Sequence, residues 1–243
     1  MYGLDIVITM AGLGSRFRKA GYNVPKYMIE VKGKTLFEWS MISLKGFSDI
    51  ANQYIFIVMK DEVENVESFI GNKCQEIGIK SYKIIVIDYL TDGQATTAML
   101  ANKYWSKNNK LLIYNIDTYV EENEMNSSQL KGDGFIPCFN GEGTHWSFVK
   151  VDESGKAIKV REKEKISDNC TLGAYYFKTC DFYENLYNEY YFKNENLVNG
   201  EKYIAPLYNY LIQQHGEVYI SQVDIERVHV LGTPEELEDF INQ

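Results

Sequence analysis

The first 118 residues alternate strand-like apolar runs with helix-like amphipathic stretches, and that alternation leaves few folds open to the chain. Leu4 to Met10 is rich in β-branched residues and is closed by Gly12 and Gly14, the pattern of a buried strand running into a tight loop. Thr35 and Glu38 form a capping-box signature, after which Leu36, Trp39, Met41 and Leu44 recur near helical spacing. A second apolar run, Tyr54 to Met59, precedes another such signature at Asp61 and Glu64, which predicts an amphipathic helix toward Cys74. Lys83 to Ile87 reads as a third strand. The loop Thr91-Asp92-Gly93-Gln94 then leads into a helix predicted over Ala95 to Tyr104, and Leu111 to Ile116 is a fourth strand ending at Asp117. Strands and helices in this order build a parallel sheet covered on both faces.

The second half reads differently. Gly134 to Phe139, Trp146 to Val151, Ala157 to Arg161 and Thr171 to Phe177 look like strands joined by short turns such as Glu153-Ser154-Gly155. Helices are predicted around Asp181 to Tyr191 and Tyr203 to Gln214, with a last one starting at Thr233-Pro234-Glu235, where proline and acids suit a first turn. The expected fold is an open α/β sheet with a mixed or largely antiparallel second half. It forms one domain over 1–243, with an N-terminal half over 1–118 and a second half over 119–243.

Ligands of open α/β sheets bind beyond the carboxyl ends of the strands. The residues to examine are therefore Gly12 to Arg16, Thr91 to Gln94, and Asp117, which should converge on one rim. In Met10-Ala11-Gly12-Leu13-Gly14-Ser15-Arg16, the glycines let main-chain amides approach a phosphate, and Arg16 adds a planar cation. Two rival motifs fail on spacing. A dinucleotide fingerprint needs a third glycine where Phe17 stands, and a P-loop ending at Gly33-Lys34-Thr35 would need its first glycine at Met28.

The formal charge is −9, which argues against a broad nucleic-acid or anionic-membrane surface. A small anion needs only a local positive site. Between Arg16 and Lys34 stand six basic residues against one acid, Glu30. The four cysteines form no C-x-x-C pair and there are three histidines, so a zinc site is not expected. Scattered cysteines and the lack of a basic-then-apolar start point to a cytoplasmic protein. Whether the chain forms a homo-oligomer is open from sequence.

The string Ala11-Gly12-Leu13-Gly14-Ser15-Arg16, with Pro25-Lys26 and Gly33-Lys34, resembles the signature of the sugar-phosphate nucleotidyltransferase superfamily. The likeness continues through Gly93-Gln94-Ala95, Asn115-Ile116-Asp117, Val160-Arg161-Glu162-Lys163, Gly173-Ala174-Tyr175-Tyr176-Phe177, Glu201, Tyr203 and Leu231-Gly232-Thr233-Pro234-Glu235. It spans nearly the whole chain in the expected order. It implies a Rossmann-like fold of the nucleotide-diphospho-sugar transferase type, a nucleoside triphosphate-binding first half and an acceptor-binding second half. It also implies attack of an acceptor phosphate on the α-phosphorus of a nucleoside triphosphate, with release of pyrophosphate. The nucleotide-binding residues would be Ala11, Gly12, Gly14, Ser15, Arg16, Gly93 and Gln94. Arg16 and Lys26 would be catalytic, and Glu162, Lys163 and Gly173 would meet the acceptor. Mg²⁺ would be held by Asp117.

Two departures stand out. A second glycine common in the first motif is absent, and the aspartate many members carry before the last Gly-Thr is replaced by His229-Val230-Leu231. The nearby acids are Asp224 and Glu226, and Asp224 is the expected second metal ligand. The short chain and the form of Met10 to Arg16 look more like the cytidylyl-type members than the long hexose enzymes, so CTP is expected first and UTP or dTTP next; the resemblance also implies a phosphorylated small-molecule acceptor and a place in bacterial capsule or surface-glycan synthesis. Competing readings are a nucleotide-sugar glycosyltransferase, with Asn115-Ile116-Asp117 as a degraded D-x-D motif, and an inactive nucleotide-binding regulator. Tyr175, Tyr176 and Tyr203 are candidates to line the acceptor pocket.

Overall fold

The computed structural model describes residues 2–61, 63–192 and 195–243. The first half runs β1 (Leu4–Met10), α1 (Ser15–Lys19), the short hairpin β2 (Glu30–Val31) and β3 (Lys34–Thr35), α2 (Leu36–Ile42), β4 (Ala51–Met59), α3 (Val66–Ile77), β5 (Tyr82–Ile87), α4 (Gln94–Met99) and β6 (Lys110–Asn115). There follow β7 (Thr118–Val120), β8 (Gly134–Asn140), β9 (Ser147–Val151), β10 (Ala157–Glu162), β11 (Asn169–Thr171) and β12 (Ala174–Phe177). The chain ends with α5 (Cys180–Tyr190), α6 (Ala205–Gln213), β13 (Val218–Val223), β14 (Val228–Val230) and α7 (Pro234–Asn242).

One ten-stranded sheet carries the fold, in the order β10-β9-β11-β8-β12-β6-β1-β4-β5 with β13 added along β8. The pairs β6·β1, β1·β4 and β4·β5 are parallel, as alternating strands and helices require. From β12 onward most pairs are antiparallel, but β13 runs parallel to β8, so the second half is mixed.

Side chains alternate across the sheet. Leu4, Ile6, Ile8 and Met10 join Phe56, Val58, Leu112 and Tyr114 on the face covered by α2 and α3. Val7, Ile55, Ile57, Leu111 and Ile113 face α4, α5 and α6, where Ala95, Ala98, Tyr183, Leu207 and Tyr208 close the second layer. Each such buried aliphatic side chain contributes about 1.5–3 kcal/mol over an exposed one. A third cluster packs Phe17 of α1 and Leu36 of α2 against Leu231 and, from α7, Leu237 and Phe240, so the chain's last helix braces its first loop.

Local signals place the elements with small corrections. The Thr35–Glu38 capping box forms, with Glu38 N donating to Thr35 Oγ1 and Thr35 N to Glu38. Asp61 instead closes a turn, accepting from Val63 N and Glu64 N, and α3 begins after Asn65, whose side chain accepts from Ser68 N. The run Thr171 to Phe177 breaks into two strands around Gly173 (φ +75°). The four cysteines are buried and free. No helix among the described residues is long and apolar enough to cross a membrane.

Candidate active site

The carboxyl ends of β1, β5 and β6 open on one cleft of about 440 Å³, lined by Thr9 to Gly12, Lys26, Thr91, Gly93, Gln94, Asn115 to Asp117 and Glu201. Its centre is an ion pair: Lys26 Nζ donates to Asp117 Oδ2 at 2.6 Å, with both side chains less than one-third exposed. Local structure fixes each partner. Pro25 (φ −52°, ψ 141°) leads into a short 3₁₀ turn over Lys26–Met28, and Met28 N donates to Pro25 O at 2.9 Å. Asp117 sits in a turn held from three sides. Ser40 Oγ of α2 donates to Ile116 O (2.8 Å), Tyr114 Oη to Thr118 O (2.7 Å), and Leu231 N to Asp117 O (2.8 Å).

The glycine loop lies against this pair. A Cβ on Gly14 (φ +61°) would sit 3.8 Å from Lys26 Cβ, whereas a Cβ on Gly12 would meet nothing within 4 Å. Gly12 and Lys26 also line an adjoining cavity of about 320 Å³, beside the Arg18–Asp61 ion pair (2.6 Å). Ala11, Gly12 and Lys26 thus share one space with Asp117. Arg16 is exposed on α1, Ser15 is likewise exposed, and neither lines the cleft.

Gly93 and Gln94 stand at the opposite wall. Gly93 (φ +139°) is packed so closely that a Cβ would lie 2.3 Å from Lys202 O. Ala95 N donates to Lys202 O (3.0 Å), Lys202 N to Asp92 O (2.7 Å), and Lys202 Nζ pairs with Asp92 (2.9 Å). These contacts carry Glu201 into the cleft. Gln94 Nε2 donates to Thr9 Oγ1 at 3.0 Å.

Gln94 and Asn115 also line a second cavity of about 160 Å³, with Phe139, Trp146, Ser147, Glu162, Tyr175 and Tyr203 among its walls. Gly173 is there too, so two of the three acceptor residues expected from sequence share one space. Ser147 Oγ donates to Glu162, and burial pushes the Glu162 carboxyl up from its ordinary value of 4.5. Lys163 (φ +56°) turns aside and places its ammonium on the Tyr203 hydroxyl and over its ring. Burial acts to lower the Lys163 ammonium, but the Tyr203 contact and the nearby charges of Glu162 and Glu201 together hold the group above its ordinary value. Tyr175 and Tyr203 line the cavity; Tyr176 points to the other face of the sheet and packs in the core.

Asn115 went unread as a site residue in its own right. Its Oδ1 is buried without a hydrogen-bond partner, and its amide lies against Gly173, where a Cβ would come within 2.3 Å. Only a polar strand-end residue between two cavities hinted at it.

Asp224 is not among the residues that line the cleft. It caps a 3₁₀ turn, accepting from Glu226 N at 3.1 Å. The β14·β7 register pairs Val230 with Thr118 and Val228 with Val120, and Leu231 N reaches Asp117. Asp224 therefore lies beyond Arg227, which is four strand positions, about 13 Å, from Leu231. The carboxylate the fold brings beside Asp117 is Glu236 of α7. Glu236 Oε2 and Asp117 Oδ2 both lie 3.4 Å from where a Cβ on Gly232 would be, and Gly232 N donates to Glu236 at 2.9 Å.

Among the described residues no three His, Cys, Asp or Glu side chains gather into a protein-only metal cage. Mg²⁺ seldom uses one. It binds through one or two carboxylates and completes its shell with water and substrate phosphates. Asp117, with Glu236 nearby and a glycine loop beside it, fits that usage.

No protein-family model matches the sequence, and a search of curated proteins finds no match. Solved structures do match. A nucleoside-diphosphate-sugar pyrophosphorylase from Vibrio cholerae RC9 shares 36% identity over 98% of this chain and 100% of its own, with a TM-score of 0.89. The chain belongs to the sugar-phosphate nucleotidyltransferase superfamily. As a nucleotidyltransferase it is an enzyme of the pyrophosphorylase type. Solved structures of lower identity share its fold. A glucose-1-phosphate thymidylyltransferase from Bacillus anthracis matches at 18% identity and TM-score 0.76, over 99% of this chain and 94% of its own. A CTP:phosphocholine cytidylyltransferase from Streptococcus pneumoniae matches at 16% and 0.74, over 99% and 98%.

Proposed function

We propose that this nucleotidyltransferase transfers the nucleotidyl group of a nucleoside triphosphate, CTP in preference, to the phosphate of a small acceptor. The supporting observation is adjacency: Lys26 and Asp117 share a cleft that has Gln94 and Asn115 in common with the walls of a second cavity. A triphosphate in the first and a phosphate monoester in the second meet beside Lys26.

In this reading the amides around Ala11, Gly12 and Gly14 hold the polyphosphate, and Arg16 and Ser15 close over it from α1. Gly93 and Gln94 read the base. Lys26 leaves Asp117 to stabilise charge growing on the α-phosphate, where fixed cations act most strongly. Asp117 would hold Mg²⁺, which when bound neutralises phosphate charge and aligns the triphosphate. The acceptor phosphate is already ionised near neutral pH, so the site needs alignment more than a general base. Glu162, Gly173 and Lys163 set the acceptor. The form of the chain's first motif, which resembles that of cytidylyl-type members, favours CTP; UTP or dTTP with a sugar 1-phosphate is the second reading. A role in capsule or surface-glycan synthesis, a cytoplasmic setting and one domain over 1–243 belong to the same proposal.

The test is a matrix of CTP, UTP, dTTP, ATP and GTP against sugar 1-phosphates and small phosphate monoesters with Mg²⁺, reading pyrophosphate. Release with CTP above the others is expected. No release anywhere in the matrix refutes the reaction, and a clear UTP or dTTP preference refutes the nucleotide.

A further inference from the structure

The cavity beside the nucleotide cleft combines aromatic walls with a carboxylate. Its walls are aromatic, from Phe139, Trp146, Tyr175 and Tyr203, and its one carboxylate is Glu162. Several of its polar groups are already paired: the Ser147 hydroxyl on Glu162, the Thr171 hydroxyl with Tyr175 Oη (3.0 Å), the Trp146 indole N–H on Glu142 O (2.8 Å), and the Tyr203 hydroxyl with Lys163, while Gln94, Asn115, Thr118 and His145 add further polar groups to the lining. A cavity of about 160 Å³ is also small beside the roughly 300 Å³ and upward of typical small-molecule sites.

Glu162 is the group left wanting. An ionised carboxylate accepts at about four lone-pair sites, and the Ser147 hydroxyl fills one of them. Lys163 has turned its ammonium to the Tyr203 hydroxyl and donates no hydrogen bond to Glu162, although its charge still acts to lower the Glu162 carboxyl. Glu201, at the neighbouring cleft, adds further negative charge. A buried carboxylate so placed is stabilised by a cation that also donates hydrogen bonds. Aromatic faces around it attract the same cation.

We infer that the acceptor is a phosphate monoester bearing a primary or secondary ammonium group, which donates to Glu162 inside the aromatic walls while its phosphate faces Lys26. The inference rests on the proposed reaction and narrows its acceptor. A quaternary ammonium meets the aromatic walls but brings no N–H for Glu162, so it ranks below. A neutral hydroxyl in its place ranks lower still.

The probes are phosphoethanolamine, phosphocholine, 2-hydroxyethyl phosphate and glucose 1-phosphate, each titrated by calorimetry into the CTP-Mg²⁺-loaded protein, with pyrophosphate release read in parallel. Phosphoethanolamine is expected to bind about tenfold or more tightly than 2-hydroxyethyl phosphate, one charge-assisted hydrogen bond being worth at least that. Glu162→Gln should abolish the difference. Trp146→Leu, a second variant should Glu162→Gln fold poorly, should weaken both amines against the neutral ester. Equal affinity for amine and neutral ester, or an amine preference that survives Glu162→Gln, overturns the inference. So does turnover of glucose 1-phosphate with none of the amines, which leaves the proposed reaction standing. Amine-selective binding without pyrophosphate release from any acceptor sinks the proposed reaction instead and leaves the ligand class intact.

Discussion

Replacing Gly93 with alanine tests how the cleft wall is built. Gly93 has φ +139° and ψ 172°, a conformation costing a side-chain-bearing residue about 1–3 kcal/mol. A Cβ there would also sit 2.3 Å from Lys202 O and 2.6 Å from Lys202 N, and both are main-chain atoms that cannot swing aside. The segment must retreat, breaking the Ala95 N–Lys202 O and Lys202 N–Asp92 O hydrogen bonds, each worth about 1 kcal/mol net. Gly93→Ala should therefore lose about 3–5 kcal/mol, a large share of the roughly 5–15 kcal/mol that holds a domain folded. Gly155→Ala is the control: φ is +79°, but a Cβ meets nothing within 4 Å, so about 1–2 kcal/mol is expected. Urea unfolding of both variants, with slopes matching the parent, gives the comparison. If Gly93→Ala costs no more than Gly155→Ala, close packing against Lys202 is not what demands glycine.

Lys26→Ala should lower turnover about a hundredfold or more with little change in unfolding midpoint, as expected for a charge aimed at the transition state; turnover near the parent's would remove Lys26 from the chemistry. Asp5 is fully buried and accepts from Ser106 N (2.9 Å) and from the side-chain amides of Asn52 (2.8 Å), Asn109 (3.2 Å) and Gln53 (3.3 Å). Asp5→Ala leaves those donors stranded and should cost about 3 kcal/mol, roughly 6–12 °C of melting temperature for a chain this size; a shift under about 2 °C refutes the account. Glu162 has its pKa raised by burial above its ordinary 4.5, so the folded state holds that proton more tightly than the unfolded chain. Its stabilising contribution is complete below pH 4.5 and is lost as pH rises through the higher folded value. Glu162→Gln should lose less stability than the parent as pH rises from 4.5 toward neutral, and parallel pH–stability curves would refute the shift.

What was legible in the sequence is what short-range chemistry decides. Leu4–Met10 is a strand from its β-branched run, and Gly12 and Asp117 fall on the cleft because strand ends of a parallel sheet share a rim. Residues whose place depends on distant pairing were harder. Asp224 is near the Leu231-Gly232-Thr233 segment only along the chain. The antiparallel register of two three-residue strands decides instead, and it brings Leu231, then Gly232 and Glu236, to Asp117. Val218–Val223 went unread because its mixed exposure gives no clean alternation, and its parallel pairing with β8 is made across some eighty residues. The Asp61–Glu64 spacing fits a helix start as well as a turn, and the Asn65 cap one residue later wins. Asn115 and Gly173 explain each other only once β6 and β12 are side by side.

A chain of net charge −9 that is to hold a polyphosphate must solve a local problem, and the Lys26–Asp117 pair is a physical solution. Screening over about 8–10 Å makes the distant acids nearly irrelevant, so groups within the cleft set the potential. An unpaired Asp117 there would repel phosphate, and an unpaired half-buried Lys26 would pay desolvation with nothing in return. Paired at 2.6 Å, the two nearly cancel, and neither must be desolvated further for the cleft to stay open. In the proposed reaction each exchanges its partner for one of greater charge, Lys26 for phosphate and Asp117 for a divalent cation, so loading the site costs one ion pair and forms two. The same argument gives the pair's removal a sign. Asp117→Asn frees Lys26, and it should tighten binding of a nucleoside triphosphate without metal while abolishing the gain that Mg²⁺ gives the parent. Calorimetry with and without Mg²⁺ reads both changes, and weaker metal-free binding by Asp117→Asn would show that the carboxylate does not restrain Lys26.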